Sequence, residues 1–241
     1  MNMIQVGLTS LERVLQYASE SVRQEPAWRL PSDPPAGAWP AQGTVSFEKA
    51  LLKYRPELPP SLEDVSLTIR HGERIGIVGR SGAGKSSLLT LLFRIVDASQ
   101  GRVLVGGRDV GGLGLLTLRR AMAIIPQDPL LISGTVRVNL DPFHRETDAA
   151  LRDVLRRVGL PADLLACDVG PGGSSLSAGE RQLLALGRAL LKRAKGVVCD
   201  EPTSNIDMVT DAAAQRVIRT GFDDSTVITI AHRLHTVIDC D

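Results

Sequence analysis

Eight residues in the first half of the chain have types and a spacing suited to binding phosphate groups. They occupy positions 79–86 and match the pattern G-x-x-x-x-G-K-[ST]. The glycines let successive backbone N–H groups face an anion, Lys85 can reach β- and γ-phosphates, and Ser86 can place its hydroxyl on Mg²⁺. A plain Gly-rich turn would need neither the lysine nor the serine. The pattern therefore predicts binding of a nucleoside triphosphate by Gly79, Arg80, Ser81, Gly82, Ala83, Gly84, Lys85 and Ser86, together with Ser87, which follows them.

Two acidic residues end an apolar stretch later in the chain. Residues 197–199 are typical of a buried strand, and Asp200 and Glu201 follow at its carboxyl end. Asp200 is suited to hold Mg²⁺, directly or through water, and Glu201 to polarise the water that attacks a γ-phosphate. An acidic exit from a strand is also common without any catalytic role. The phosphate-loop pattern in the same chain favours the catalytic interpretation.

A third group of residues opens a long predicted helix. Within positions 176–182, Ser177 stands at the N-cap and Glu180 three residues later, which is the arrangement of a capping box. A helix N-terminus flanked by Gly179 is also suited to bind a second γ-phosphate. The structural interpretation and the functional one are compatible.

Strands and helices in alternation must position these groups. The phosphate loop lies between a predicted buried strand, Arg74–Val78, and a helix that opens at Lys85. The alternation continues toward the C-terminus and predicts an α/β fold in which helices cover a parallel sheet. Residues 45–47 and 65–69 alternate as antiparallel strands do. The other predicted strands are 101–105, 123–126, 196–200 and 225–231, and the other predicted helices are 178–192, 209–219 and one capped by Thr147.

The first 42 residues differ from the rest of the chain. Apolar residues at helical spacing predict a short amphipathic helix, and Thr9 with Glu12 is suited to form its capping box. Five prolines between positions 24 and 42 predict an extended linker, and Trp28 and Trp39 indicate that this linker packs against another surface. The folded domain is expected to begin near Gly43.

The composition excludes several classes of function. Basic and acidic side chains balance to a formal net charge of +1, so no overall field attracts nucleic acid. Aromatic residues make up only 3% of the chain, which argues against a surface that stacks bases. No apolar run reaches the roughly 20 residues that cross a bilayer, and no secretory signal is visible. The three cysteines lack metal-ligand spacing and indicate reduced thiols.

The motifs, taken in order, resemble the nucleotide-binding domain of ATP-binding cassette (ABC) proteins. Those domains carry a phosphate loop, a Leu-Ser-Gly-Gly-Gln signature, an Asp-Glu strand end and a late histidine. Positions 79–86, 176–180 and 200–201 and His232 match them, and the resemblance covers residues 43–241. It implies an α/β fold of the P-loop NTPase class with ABC-type architecture, which has an antiparallel β subdomain, a parallel-sheet ATPase core and a helical signature subdomain.

The same resemblance implies roles for single residues. Gln127 matches the glutamine that meets Mg²⁺ or its water and faces the membrane domains, and Tyr54 matches the aromatic residue that stacks on adenine. Asp207 matches the acidic position of the D-loop. The implied catalytic residues are Glu201, His232 and Gln127. The implied nucleotide contacts beyond the phosphate loop are Tyr54, Ser177, Gly179 and Asp207, and the implied Mg²⁺ ligands are Ser86, Gln127 and Asp200.

Residues 11–17, 54–56 and 139–143 resemble the second cassette of ABC subfamily C exporters, the multidrug-resistance-associated type. The resemblance implies that residues 1–42 are a helix and a Pro-rich linker from a preceding membrane domain. Ala178 and Glu180 replace a glycine and the glutamine of the signature, as is common in second cassettes of this group. Because the family continues past the position of residue 241, a C-terminally truncated fragment of a longer transporter is expected.

The resemblance implies an ATPase that converts ATP and water to ADP and phosphate and thereby powers export. Organic anions or thiol conjugates are the expected cargo. The expected partners are the first cassette of the same protein, across an ATP sandwich, and its transmembrane domains, with no nucleic acid. The expected location is the cytoplasmic face of a membrane. Two alternatives stay open, namely a regulatory cassette that gates a channel and a soluble ABC ATPase without transport.

Overall fold

A helix opens the computed structural model, which describes residues 3–18, 25–202, 206–231 and 240. This helix, α1 (Met3–Ala18), confirms the predicted amphipathic helix. Its first residue is Met3, so Thr9 lies inside the helix and the predicted capping box of Thr9 with Glu12 is wrong. Leu8, Leu11, Val14 and Leu15 on this helix are exposed.

Eight strands and six further α-helices follow along the described chain. In chain order they are β1 (Val45–Leu52), β2 (Leu62–Ile69), β3 (Arg74–Val78), α2 (Lys85–Leu92), β4 (Gln100–Val105), β5 (Arg108–Asp109), α3 (Leu115–Ala121), β6 (Met122–Ile125), α4 (Val136–Leu140), α5 (Asp148–Arg157), α6 (Ala178–Lys192), β7 (Gly196–Asp200), α7 (Met208–Gly221) and β8 (Thr226–Ala231).

The first sheet is antiparallel and has the strand order β2-β1-β4-β5. Val45 on β1 pairs with Ile69 on β2 and with Val105 on β4, so β1 is hydrogen-bonded on both edges. Every second residue is buried in each half of β1, as expected of a strand with one face on a core, and the alternation shifts at Glu48 and Lys49, where the pairing register is irregular. The predicted antiparallel pair is confirmed, and the predicted strand at 101–105 joins this sheet.

The second sheet is parallel throughout, with the strand order β3-β8-β7-β6. The central strand β7 is buried except at its last residue, Asp200. Val197 and Cys199 on this strand belong to one hydrophobic core and Val198 to another, because successive side chains point to opposite faces. Burial raises the pKa of the Cys199 thiol to about 12. The parallel sheet therefore separates two cores.

One core packs the helices α5, α6 and α7 against the parallel sheet, and the other joins the antiparallel sheet, α2 and the opposite face of the parallel sheet. Leu184 and Leu186 of α6 are fully buried in the first core. Leu91 and Leu92 of α2 are buried in the second. The α/β architecture thus has the antiparallel, parallel and helical parts that the family resemblance implied.

Residues 25–42 lie against the domain as a strap. The backbone N–H groups of Leu115 and Leu116, at the start of α3, donate to the carbonyls of Ala27 and Trp28 at 3.1 and 3.0 Å. The indole N–H of Trp39 donates to the carbonyl of Val105 at 3.1 Å. Asp33 accepts from the backbone N–H of Gly114 at 2.7 Å and from the hydroxyl of Thr117 at 2.9 Å. Its backbone hydrogen bonds with Gly114 and Leu30 lower the pKa of the Asp33 carboxyl.

Gly43, where the strap meets β1, is packed so closely that a side chain would not fit. A Cβ atom at this residue would lie 1.9 Å from the carbonyl oxygen of Lys195 and 2.7 Å from Oγ1 of Thr226. We expect Gly43→Ala to lower the free energy of unfolding by about 1–3 kcal/mol because a packed backbone must shift. Urea denaturation measures this change. Gly112→Ala is the control, since a Cβ there meets no atom within 4 Å. Equal stability of the two variants would contradict the packing argument.

Candidate functional site

Three of the predicted groups follow strands that end on the same edge of the parallel sheet. The phosphate loop follows β3, Glu201 follows β7, and Gln127 lies two residues after β6. Because the strands run parallel, their carboxyl ends meet at one edge, where open α/β sheets bind ligands. Only β8 separates β3 from β7, so the loop and the acids are two strand spacings apart, about 10 Å. His232 would follow β8 but lies outside the described residues.

The phosphate loop is held in its shape by left-handed glycines and one close contact. Gly82 and Gly84 have φ values of +80° and +85°, which residues with a Cβ adopt at a cost. A Cβ on Gly84 would also lie 2.6 Å from the carbonyl oxygen of Ser61, just before β2. Gly84 caps the N-terminus of α2, whose unpaired N–H groups and dipole favour an anion. The loop residues Arg80, Ser81 and Ser86 are exposed to solvent.

Lys85 closes the loop on itself. Its ammonium donates hydrogen bonds to the carbonyl oxygens of Gly79 at 2.9 Å and Arg80 at 3.1 Å, and only 8% of the residue is exposed. The chain therefore holds a cation at the centre of the loop, where a bound phosphate would attract it.

Tyr54 lies beside the first turn of α2. Its hydroxyl is 3.1 Å from Oγ of the buried Ser87, which follows Ser86 in the loop motif. Almost half of the Tyr54 residue, 48%, is exposed. The ring that the sequence resemblance assigns to adenine is therefore next to the phosphate loop and open to solvent.

The two acids at the end of β7 differ in backbone conformation. Asp200 is the last strand residue and is half-buried. Glu201 has a φ of +46°, a region that non-glycine residues occupy at a cost of about 1 kcal/mol or more, and its N–H donates to the carbonyl of Ile230 on β8 at 3.0 Å. Neighbouring structure holds Glu201 in this strained turn. Such strain is frequent at residues that act on a ligand.

Gln127 is exposed and lines a cavity of about 320 Å³. Pro202, which follows Glu201, and Ala178, at the start of α6, line the same cavity. Below it, the side-chain amide of the buried Gln182 on α6 donates to the carbonyl of Pro126 at 3.0 Å. The cavity therefore joins the loop at Gln127 to the signature helix and the acidic turn. None of its described lining residues belongs to the phosphate loop.

The predicted capping box at the start of α6 is present. The N–H of Glu180 donates to Oγ of Ser177 at 3.2 Å, and the N–H of Ser177 donates to the Glu180 carboxylate at 2.8 Å. The Ser177 hydroxyl also lies 2.8 Å from the same carboxylate oxygen and donates to it. Ser177 is exposed, but its hydroxyl already donates its proton in the hydrogen bond to Glu180.

Gly179 and Asp207 are linked through Thr210 of α7. A Cβ on Gly179 would lie 2.8 Å from Cγ2 of Thr210, so the two helices meet closely here. Asp207 caps α7 by accepting from the N–H groups of Val209 and Thr210 and from the Thr210 hydroxyl at 2.7 Å. The hydrogen bonds from Thr210 lower the pKa of the Asp207 carboxyl. Asp207 therefore has a structural role as the N-cap of α7, whether or not it also contacts nucleotide.

Two polar residues that were not among the predicted site residues support this region, although Asn139 belongs to the segment 139–143 named above. Arg188 on α6 donates to the carbonyl oxygens of Leu130 at 2.6 Å and Asn139 at 2.5 Å, and to Oδ1 of Asn139 at 2.8 Å. Asn139 is 2% exposed and is also bonded to both backbone polar groups of Ile132. Desolvation lowers the pKa of the Arg188 guanidinium. A polar residue on an otherwise apolar helix face was the available sequence signal.

The fold and the site define an ATPase domain of the P-loop class. A glycine-rich loop leads from a parallel strand into a helix, and carboxylates end a nearby parallel strand. A family model described as "ABC transporter" matches residues 62–204, which is more than half of the chain. The chain belongs to the ABC transporter family.

The proteins that this chain resembles include members of subfamily C. The rat protein "ATP-binding cassette sub-family C member 2" is 43% identical over 98% of this chain, and "ABC-type transporter cicA" of Emericella nidulans is 40% identical over 99%. The chain spans 16% and 18% of those relatives. A bacterial Atm1-family ABC exporter, solved with ATP bound, is 29% identical with a TM-score of 0.83, over 99% of this chain and 42% of that one. The chain is thus a nucleotide-binding domain of the ABC transporter family that is similar to those of subfamily C members.

Across the described ranges, no helix is both long and apolar enough to span a bilayer.

Proposed function

We propose that this chain binds and hydrolyses ATP to power export by a longer transporter of subfamily C, in which it is the second cassette. One observation carries the proposal. The phosphate loop, the strained Glu201 and Gln127 stand at the ends of β3, β7 and β6, three strands of one parallel sheet. The family membership supports ATP as the nucleotide.

ATP would lie on the loop with its adenine against Tyr54. Lys85 would exchange its bonds with the Gly79 and Arg80 carbonyls for the β- and γ-phosphates, which is favourable because a charged acceptor replaces two neutral ones. Ser81 and the other loop residues would offer backbone N–H groups to the phosphates. The left-handed Gly82 and Gly84 allow this curl.

The donor set at the strand ends fits Mg²⁺. Mg²⁺ prefers oxygen ligands, and the Ser86 hydroxyl, the Asp200 carboxylate and the Gln127 amide oxygen would supply them. A bound Mg²⁺ neutralises phosphate charge. Glu201 would accept hydrogen bonds from the attacking water and orient it toward the γ-phosphate, and His232 would contact that phosphate.

A partner cassette would complete the site from the other side. Ser177 and Gly179 of this chain would in turn face the nucleotide of the partner, with Asp207 near the junction. Here Glu180 holds the Ser177 hydroxyl proton and adds a negative charge, and Ala178 adds a Cβ. Both changes would weaken closure on a γ-phosphate, through repulsion and crowding. These changes support the proposal that the signature of this chain completes the degenerate one of the two ATP sites, as expected of a second cassette.

The transmembrane domains would dock on an apolar groove of about 630 Å³. Leu130 and Phe143 line it and are 78% and 73% exposed, and the Arg188 bonds hold its floor. Single exposed apolar side chains are ordinary, but several around one groove are typical of an interaction site. The loop of Gln127 continues into this groove, so nucleotide state would reach the membrane domains there. Residues 1–42 would join the cassette to them, at the cytoplasmic face of the membrane.

The Ser177–Glu180 bond also supports a second candidate function, a regulatory cassette that binds ATP and gates a channel. Weak closure would suit nucleotide sensing without fast turnover. Steady ATP turnover by the protein purified from its source would contradict it.

For an exporter, the proposed cargo is organic anions or thiol conjugates, by likeness to subfamily C.

Fractionation of source cells tests membership of a transporter. We expect an antibody raised against residues 45–241 to detect, in the membrane pellet, a band much larger than the 25.9 kDa of this chain. Alkaline extraction of the pellet is the control for peripheral attachment. A soluble band at the mass of this chain would overturn the export proposal and favour a soluble ABC ATPase.

A further inference from the structure

A basic cavity of about 500 Å³ lies under the strap, between its residues, α3 and the end of α6. Its volume is within the range of roughly 300–1,000 Å³ that is usual for small-molecule sites. None of its described lining residues belongs to the phosphate loop or the signature. The described cationic residues that line it are Arg29, Arg120, Lys192, Arg193 and Lys195, and the described acidic one is Asp33.

The positive charge of this cavity is only partly compensated. Both carboxylate oxygens of Asp33 already accept hydrogen bonds, from the N–H groups of Leu30 and Gly114 and from the hydroxyl of Thr117. Lys195 is paired with Asp224. The guanidinium groups of Arg120 and Arg193 form no hydrogen bond or ion pair within residues 3–18, 25–202, 206–231 and 240. A cleft lined by charges of one sign focuses its field and concentrates counter-ions.

Lys192 adds a cation whose ammonium group is held against backbone carbonyl oxygens. Its ammonium donates to the carbonyl oxygens of Arg119 at 2.7 Å and Met122 at 2.5 Å. Desolvation lowers the pKa of the Lys192 ammonium to about 8. An anion close to this ammonium would favour its charged form.

Arg193 occupies a position where glycine would be more stable. It ends α6 in the left-handed conformation, with φ of +49° and ψ of +37°. Glycine adopts this conformation at helix ends without a Cβ penalty. The arginine therefore costs stability at the point where its charge lines the cavity, and retention of local strain at a ligand-binding position is a recurrent pattern.

The wall of the cavity is rigid and partly apolar. Pro34, Pro35, Pro40 and Trp39 line it, and the indole N–H of Trp39 is fixed to the carbonyl of Val105. Proline fixes φ, so this wall loses little freedom when a ligand enters.

We propose that this cavity binds a small ligand carrying several phosphate groups, such as an inositol polyphosphate or the head group of a phosphoinositide. Arg120 and Arg193 would form paired hydrogen bonds to phosphate oxygens, since the planar guanidinium matches phosphate geometry. The site is separate from the ATP site and does not depend on the proposed function.

Calorimetric titration of the chain with inositol hexakisphosphate tests the proposal. We expect one saturable site, and affinity about tenfold or more weaker in Arg120→Gln/Arg193→Gln, because charge-assisted contacts are lost. The matched control is Arg156→Gln/Arg157→Gln, which removes two exposed arginines from the last turn of α5 and should leave the affinity unchanged. Equal weakening in both variants, or no saturable binding, would overturn the proposal. So would loss of binding in Lys85→Ala alone, which would assign the ligand to the phosphate loop.

Arg193→Gly separates a binding role from a structural one. We expect a higher melting temperature than that of the native chain, since glycine relieves the left-handed strain, together with weaker binding of inositol hexakisphosphate. Unchanged binding in this variant would count against a role for Arg193.

Vesicles identify the source of the phosphate groups. Cosedimentation with vesicles containing phosphatidylinositol bisphosphate, absent with phosphatidylserine vesicles of equal charge and lost in Arg120→Gln/Arg193→Gln, would indicate a lipid head group. Binding of the soluble polyphosphate without cosedimentation would indicate a free ligand. Equal cosedimentation with both kinds of vesicle would mean non-specific attraction and would overturn the proposal.

Discussion

Glu201→Gln is expected to stop ATP turnover while leaving ATP binding intact. The amide has nearly the same shape as the carboxylate but cannot accept a proton or polarise the attacking water, so turnover should fall about 10²–10⁴-fold. The backbone of residue 201 keeps its φ of +46°, because the bond from its N–H to Ile230 does not involve the side chain. The measurement is phosphate release by the protein purified from its source, beside retention of labelled ATP.

Removal of Mg²⁺ and a control variant complete this test. Removal of Mg²⁺ with a chelator should abolish the turnover of the native protein, because the proposed ligands hold ATP phosphates through that ion. Glu180→Gln is the matched control, an identical change at an acidic residue of the signature, and it should not reduce turnover. Phosphate release from Glu201→Gln at the native rate would remove Glu201 from the proposed mechanism.

Lys85→Ala is expected to lower the affinity for ATP at least about tenfold, and by as much as about 10²-fold. The lysine is 8% exposed and its ammonium already lies over the loop, so its contribution to phosphate binding requires little reorganisation. Its present acceptors, the carbonyl oxygens of Gly79 and Arg80, belong to exposed residues that water can satisfy. We therefore expect a loss of affinity without a comparable loss of stability.

Calorimetric titration with ATP and thermal unfolding of the same samples measure these two effects. Lys49→Ala is the control, since Lys49 is an exposed lysine on β1 outside the nucleotide site. If both variants bind ATP equally, or if Lys85→Ala is unfolded at room temperature, the assigned role of Lys85 is wrong.

The family could be predicted from the sequence because its motifs are local. A strand, a glycine-rich turn and a lysine at a helix start are contiguous at 74–86, and their physical roles follow from neighbouring residues. The bounds of α6 and β7 were predicted to the residue for the same reason, since the capping box of Ser177 and the apolar run before Asp200 are contiguous signals. The capping box at Thr9 failed because the helical pattern extends further toward the N-terminus than the cap motif suggested.

The geometry of the candidate site was outside the reach of such signals. No local pattern indicates that β8 lies between β3 and β7, since the pairing of Arg74 with Val227 joins residues 153 positions apart. Placement of Gln127 beside the acidic turn depends on this strand order and on the bond from Gln182 to Pro126. The hydrogen bond from the Ser177 hydroxyl to Glu180 also could not be predicted from the sequence, because a carboxylate at position 180 has several rotamers.

The sequence by itself determined the class of chemistry, the order of the elements and the residues that could perform it. Tertiary structure alone decided which strand ends meet, how the strap fastens to α3 and which charges share a cavity. Arg29 and Arg193 illustrate the difference, since they are far apart along the chain and line one basic cavity. The physical reason is that residue types and short spacings determine local hydrogen bonding and burial, whereas distant segments meet through packing that depends on the whole chain.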